Sequence, residues 1–421
     1  MKDLFLELDH RALPLIEFIG GQAERLGMKA YLVGGLVRDL MLKRESLDLD
    51  IVVEGSTVAL AQAVAESKNG RATFFPAFKT ATVIFSNGIA IDFATARRET
   101  YKTSGALPEV FEGTIQDDLL RRDFTINAMA VAINPGQLGM LLDDFGGLKD
   151  LKEKKIRVLH DKSFLDDPTR ILRALRFVER LTFQVEAATL RQLKQAISRR
   201  AIDRVKPPRW FQEFRKILNE DNAADCIRQL TAWGAMGFVA KPFKCDVKLL
   251  KRIQKAVSSG SGAVDGSLVY VMALVERLSE KKKEALLQSW SLTRQEVKKI
   301  LSVTAHKKIL KALSSSRLAN SQIYRTLEGL SPEALLFLSC AASNRSSQKA
   351  IKIYQEKLSA VRLEISGEDI KNLGINEGKQ VKVILDKVLN RKIDGQCNSR
   401  REELEHAQRL SAVTTIERHA Q

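Results

Sequence analysis

The spacing of apolar positions changes along the chain. Residues 3–28 place apolar side chains at helical intervals, predicting one or two amphipathic helices. "AYLVGG" (30–35) is a short unbroken apolar run ending in glycine, the pattern of a buried strand. "LVRDLML" (36–42) restarts a helical period. "LDLDIVVEG" (47–55) alternates as a strand does, and "TVALAQAVAES" (57–67) is helical. "ATVIFSNGIAIDFATARRE" (81–99) holds two β-branched runs around Asn87-Gly88, a β-hairpin signal. "DDLLRRDFTINAMAVAI" (117–133) predicts a helix followed by a strand. Strands cluster before about residue 145, and from "DDPTRILRALRFVERLTF" (166–183) onward helix follows helix. The expected fold is therefore α+β: a head with a small mixed β-sheet, then an all-helical remainder. "SSGSGAVDGS" (258–267) and "LSSSRLANS" (313–321) read as loops or boundaries.

Composition narrows the class. With 44% hydrophobic and 28% charged residues, the 421-residue chain reads as soluble and globular, long enough for several domains. Its net charge of +17 points to a polyanionic partner such as nucleic acid, although a merely lysine-rich chain has the same balance. The four cysteines show no C-x-x-C spacing and the five histidines are scattered, which argues against a zinc site or a disulfide framework. A reducing cytoplasm fits. Asp3, Glu7, Asp9 and Glu17 are wrong for a signal peptide, and no apolar run is long enough to span a bilayer.

Asp48 and Asp50 stand two apart on the predicted strand and so share a face. Two carboxylates this close repel unless a cation lies between them, and their hard oxygens suit magnesium; alone, such a pair is more often that of an exposed strand face. Gly34 and Gly35 end the preceding strand where a helix begins. They let backbone N–H groups approach a phosphate, with Arg38 one turn further on, or they simply make a tight turn. In the hairpin, Asp92 alternates with Ala90 and Ala94, an acid flanked by small residues. Three carboxylates on neighbouring strands would form a site for two Mg2+ ions, one activating a hydroxyl and one holding a triphosphate. Arg121 and Arg122 suit a triphosphate clamp, with Asp123 and Asn127 placed for a ribose hydroxyl, or they form an ordinary ion-pair patch. Pro168 suits a first helical position, which makes Asp167 a natural N-cap and leaves Asp166 to the helix dipole. Arg170, Arg173 and Arg176 then recur every three residues amid apolar neighbours, leaving little of that helix for solvent.

"LVGGLVRD", "LDLDIVV", "ARRETYKTSGALPEV", "DLLRRDFTINAMA", "DDFGGLKDLKEKKIRVL" and "DDPTRILRALRF" occur in the order found in bacterial class II tRNA nucleotidyltransferases and their relatives, the bacterial poly(A) polymerases. The chain resembles that family over residues 30–220, and again at "ISGEDIKNLGINEGKQVKVIL" (365–385). The resemblance implies a nucleotidyltransferase head (1–145), a base-reading neck (146–218), a body (219–345) and a tRNA-binding tail (346–421). It implies that Arg122, Asp123 and Asn127, and more weakly Arg121, bind the nucleotide's ribose and phosphates, and that Asp167 and Arg170 act as a protein template for the base. A carboxylate accepts from the exocyclic amine of cytosine or adenine and a guanidinium donates to the adjacent ring nitrogen, whereas guanine and uracil present a carbonyl to the carboxylate.

Two departures stand out. Asp166 replaces the family's usual Glu, and Pro208-Arg209 replaces a common Glu-Arg pair, so that element stays outside the expected site. The implied reaction is attack of an RNA 3′-hydroxyl on the α-phosphate of CTP or ATP with loss of pyrophosphate. Alternatives are poly(A) synthesis, CC-only or A-only addition, or an RNA-binding protein without catalysis. Lys379 and Lys382 lie near a turn containing Gly374 and Gly378, which reads either as part of an ordinary helical hairpin or as a phosphate contact. The implied partner is tRNA, held by its acceptor stem and TΨC arm, with no membrane and no stable protein partner.

Overall fold

The structure is a computed structural model that describes residues 12–44, 49–260, 264–375 and 378–419, with side chains to 411. Asp48 lies outside the described residues, as does the predicted helical segment before residue 12. Contacts divide the chain into two compact units, Met1–Lys241 and Pro242–Gln421.

The first unit opens with α1 (Leu13–Arg25), β1 (Lys29–Val33), α2 (Gly35–Met41), β2 (Leu49–Glu54) and α3 (Thr57–Ser67). Strands β3 (Arg71–Phe75), β4 (Thr80–Ile84), β5 (Ala90–Thr95), β6 (Arg97–Thr100) and β7 (Glu109–Glu112) follow, then α4 (Ile115–Leu120), β8 (Ala130–Ala132) and β9 (Leu141–Leu142). Seven strands form one sheet in the order β3-β4-β5-β2-β1-β8-β9, while β6 and β7 make a separate ribbon. Every neighbouring pair in the sheet is antiparallel except β2 with β5. Asn87 and Gly88 do close the β4–β5 hairpin: Gly88 takes φ +84° and Asn87 accepts from the Ile89 N–H.

The period-2 pattern sets the two faces of this sheet. Ile51, Val53, Ala81, Val83, Ile91 and Phe93 are buried on the side covered by α3. On the other side Tyr31, Val33, Val52 and Ala130 pack with Ile115 and Leu119 of α4. That helix is set by a capping box in which Thr114 accepts from the Asp117 N–H and the Asp117 carboxylate accepts from the Thr114 N–H. Beyond α4's reach the same face is open over β5, β4 and β3, where Asp92, Ile84 and Phe75 are exposed.

Helices α5 (Gly147–Lys152), α6 (Ser163–Asp166), α7 (Arg170–Leu181), α8 (Ala187–Ser198), α9 (Pro207–Leu218) and α10 (Ala223–Ala232) complete the unit. Past residue 145 the described strands are two-residue pieces, Lys155–Ile156 and Gln184–Val185, paired in parallel. The second unit is helical. Its helix Gly266–Val275 is buried along its whole length, and the segment from Gly367 to the C-terminal helix has its own core of Ile365, Ile370, Val381, Ile384, Val388 and Ala407.

Candidate active site

Helix α7 begins at Arg170, two residues later than Pro168 predicts, because Pro168 and Thr169 form a tighter turn with bonds spanning three residues. Asp167 still serves the helix entry. Its Oδ1 accepts from the Thr169 N–H (3.0 Å) and hydroxyl (2.6 Å), and its Oδ2 pairs with Arg209 at 2.8 Å. The Asp167 carboxylate thus faces Arg209 from the element left out of the expected site. Arg170 is buried and donates instead to Ser163 Oγ and to the Arg121 carbonyl, both at 2.6 Å.

These residues line one side of a cavity of about 580 Å³. Gly34, Gly35, Arg38, Asp50, Arg121, Arg122, Asp123, Asn127, Asp167, Arg170, Arg173 and Arg176 all contribute to it, as the sequence leads one to expect. Asp166 does not: its carboxylate turns toward His160, 4.0 Å away, because it ends α6 rather than leading α7. The lining holds nine arginines against four carboxylates and no lysine, an anion-attracting surface.

Most of the arginines are held by acids. Asp118, with no exposed side-chain surface, accepts from Arg121 Nε (2.9 Å) and Nη2 (2.6 Å) and from Arg122 Nη2 (2.8 Å). Glu99 accepts from Arg121 (3.2 Å), Arg97 (3.0 Å) and the Tyr101 hydroxyl (2.9 Å). Burial first, then the Glu99 charge, pushes the Tyr101 hydroxyl well above the usual phenol range, so it stays protonated. Arg173 pairs with Asp123 through Nε (2.8 Å) and Nη2 (2.5 Å), while the Asn127 amide donates to the other Asp123 oxygen at 2.9 Å. Burial pushes the Asp123 carboxyl up, but Arg173, Asn127 and Arg170 together outweigh it and hold the group below the usual carboxylate range. Arg38 lines the cavity, but its donors are taken by protein groups instead of being left for an anion. It is buried, bonded bidentately to Asp39 (2.9 and 2.8 Å), and donates to Asn127 Oδ1 (2.7 Å), which makes it the residue that orients Asn127.

Two nitrogens in this lining remain unsatisfied. Arg122 Nε and Arg176 Nε are buried and meet no partner among the described residues. Burial also lowers the Arg176 pKa below the usual guanidinium value. Buried unpaired donors of this kind call for an anionic acceptor. Gly34 takes φ +72°, and a Cβ there would lie 2.8 Å from Arg122 Nη1 and 3.9 Å from Asp50 Oδ2. The glycine therefore leaves room that the Arg122 guanidinium occupies, with the Asp50 carboxylate at its edge.

Asp50 and Asp92 are direct register partners on the parallel β2–β5 pair, both exposed. Thr82 donates to Asp92 Oδ1 at 2.5 Å. Asp50, Arg121 and Arg122 also line a second cavity of about 340 Å³, which contains Asp92. Asp50 therefore stands where the two cavities meet. Arg97, Glu99, Tyr101, Asp118, Phe177 and Arg209 were not anticipated. The i,i+3 and i,i+4 spacing of Asp118 to Arg121 and Arg122 is the one signal that pointed to any of them. Lys379 and Lys382 are exposed on helix Gly378–Ile393 of the second unit; Gly374, at φ +88°, makes the turn before it, and Gly378 is the helix's first residue.

A mixed sheet with paired acids beside an arginine-lined cleft, followed by helices, is the architecture of the poly(A) polymerase head class. Residues 30–157 match the poly A polymerase head domain, and residues 182–243 match the probable RNA and SrmB-binding site of polymerase A. The A-adding tRNA nucleotidyltransferase of Geobacter sulfurreducens is 32% identical over 425 residues, covering 96% of this chain and 48% of its own length. That of Halalkalibacterium halodurans is 31% identical over 376 residues, 87% of this chain and 84% of the relative. The CC-adding tRNA nucleotidyltransferase of Deinococcus radiodurans is 40% identical over 204 residues, 48% of this chain and 54% of the relative. Among solved structures, the Thermotoga maritima CCA-adding enzyme complexed with tRNA has TM-score 0.78 and 34% identity over 96% of this chain and 97% of its own. A CCA-adding enzyme complexed with CTP has TM-score 0.82 and 34% identity over 96% of each chain. The chain belongs to the family of bacterial tRNA nucleotidyltransferases and poly(A) polymerases. It spans about half the length of the first curated relatives it matches.

Proposed function

We propose that this chain adds C, A or both to the 3′ end of tRNA without a nucleic-acid template, using CTP and ATP and releasing pyrophosphate. The observation that carries this reading is the in-register Asp50–Asp92 pair, of which Asp50 lines a cleft that also holds nine arginines. The triphosphate lies against Arg121, Arg122 and Arg176, and the buried unpaired Nε–H groups of Arg122 and Arg176 donate to its oxygens. Asp123 and Asn127, locked by Arg173 and Arg38, face the ribose. Asp167 accepts from the exocyclic amine of cytosine or adenine, and Arg170 and Arg209 set the position of that carboxylate and its wall. The RNA 3′-hydroxyl oxygen forms a bond to the α-phosphorus as the α–β bridging P–O bond breaks; the hydroxyl proton passes to solvent, and pyrophosphate leaves with the broken bond's electron pair.

Asp50 and Asp92 fit a hard divalent cation, since exposed carboxylates in register on adjacent strands offer oxygen ligands beside space for phosphates. With Asp48 they would hold two Mg2+ ions, which when bound neutralise the triphosphate and lower the pKa of the attacking hydroxyl. The head, neck, body and tail would span 1–145, 146–218, 219–345 and 346–421, with Lys379 and Lys382 of the tail contacting phosphates of the acceptor stem and TΨC arm. A narrower A-adding activity is supported by the name borne by two relatives that match most of this chain. Labelled CTP and ATP are offered with tRNA ending at the discriminator base, after one added C, or after two. Full CCA addition extends all three, A-only addition extends the last with ATP, and a long adenylate tail on any RNA assigns poly(A) synthesis. Absence of incorporation on every primer rejects the proposal.

A further inference from the structure

Resting on the function proposed above, we infer that the open face of β3–β4–β5 is the seat of the RNA 3′-terminal nucleoside, with Phe75 as the platform on which its base stacks. In-line displacement at phosphorus puts the entering oxygen and the leaving pyrophosphate on opposite sides of the reacting atom. Two cavities meet at Asp50, Arg121 and Arg122, and their characters differ. One holds nine guanidinium groups against four carboxylates and suits the triphosphate. The other has only those two arginines and is floored by Val52, Thr80, Thr82, Ala94 and Phe75 beside Asp92. Such a lining suits an uncharged nucleoside better than a chain of phosphates.

Register fixes this floor. Asp50 pairs with Asp92 and Asp92 with Thr82, while Val52 pairs with Ala94, Ala94 with Thr80 and Thr80 with Phe75, so these side chains lie in two adjacent rows on one sheet face, with Phe75 ending the second row. The opposite face is buried under α3, whereas here Phe75 keeps 45% of its surface exposed at the end of its row. A large aromatic left open on a sheet face, a few residues from the acids, is the arrangement by which single-stranded RNA bases are held on β-sheets.

Affinity for two tRNA transcripts, one normal and one with an abasic 3′-terminal nucleotide, is measured with the full chain and its Phe75→Ala and Phe75→Trp variants. Kinetics with RNA and with nucleotide varied in turn accompany the binding. Stacking predicts that the abasic end weakens binding about tenfold in the native chain and in Phe75→Trp, and has little effect in Phe75→Ala. Phe75→Ala should raise KM for RNA about tenfold and leave KM for nucleotide within about twofold. Because Phe75 keeps 45% of its surface in solvent, Phe75→Ala should lower the melting temperature by only a few degrees, and Phe75→Trp, which keeps a ring, serves as the folding control. An abasic penalty of equal size in Phe75→Ala and the native chain overturns the inference. A penalty that depends on Phe75 in a chain that extends no RNA keeps the platform and rejects the activity proposed above.

Discussion

Replacing Asp118 by Asn tests whether the arginines of this cleft are set from beneath. The substitution keeps the shape of the side chain but removes its charge and turns one oxygen into an N–H donor. That donor then faces either the two Arg121 N–H groups now bonded to Oδ1 at 2.9 and 2.6 Å or the Arg122 N–H group now bonded to Oδ2 at 2.8 Å. Breaking a fully buried ion pair costs about 3–5 kcal/mol. Arg121 and Arg122 keep 20% and 17% of their side-chain surface in solvent, so the low end of about 3 kcal/mol applies. The first unit's melting transition should fall by ~6–12 °C. Functionally, two arginines lose their anchor while the acids stay in place. One charge-assisted hydrogen bond is worth about 1.5–3 kcal/mol, so KM for the nucleoside triphosphate should rise about 10- to 100-fold, with the affinity for tRNA unchanged. The neighbouring Asp117→Asn separates this from a general loss of α4. Asp117 completes the capping box without touching an arginine of the cleft, so its loss costs about 1 kcal/mol and leaves nucleotide KM at the native value. If Asp118→Asn destabilises the chain yet binds nucleotide normally, the anchoring role is refuted.

Gly34→Ala should strain the backbone by about 1–3 kcal/mol and displace Arg122, lowering kcat/KM for nucleotide, whereas Gly136→Ala, whose new methyl meets nothing within 4 Å, should be neutral in the same assay. Arg209→Ala removes the 2.8 Å partner of Asp167 and should reduce the preference for CTP and ATP over GTP and UTP about tenfold in competition assays, with Arg209→Lys recovering part of it. Asp123 is held below its unfolded value, so it stabilises the fold above about pH 4, and that stability is lost as pH falls through the depressed folded value. Asp123→Asn should therefore flatten the acid limb of a stability–pH curve measured by urea unfolding. Lys379→Ala and Lys382→Ala should each reduce the slope of log affinity for tRNA against log salt by about 0.7–0.9 if the side chain neutralises one phosphate.

What the sequence made legible was local. Alternation put Asp92 between Ala90 and Ala94 on the outward face, and Asn87-Gly88 marked the hairpin, because both depend on neighbours a few residues away. Glycine at position 34 announced a turn for the same reason. Partner choice was not legible. Arg38 reads as free to meet an anion, yet Asn127, 89 residues later, and the adjacent Asp39 take its donors. Glu99 is one acid among many until folding brings Arg97, Arg121 and Tyr101 to it. Pro208-Arg209 looked like a loss relative to the family, but α9 carries its guanidinium to Asp167 across 42 residues of chain, a contact that no spacing rule contains.

The single parallel pairing in the sheet carries a consequence for synthesis. Strand β2 must wait for β3 and β4 to be made and folded back before β5 can settle beside it, and β8 and β9 close the far edge only once residues 130–142 have emerged. At a few to tens of residues per second, a nascent chain spends seconds with β2's edge unpaired and two like charges not yet side by side. A ribosome-stalled fragment ending before residue 90 has only half of the Asp50–Asp92 pair, so the divalent-ion binding proposed for that pair should arise abruptly, when β5 locks in between β4 and β2.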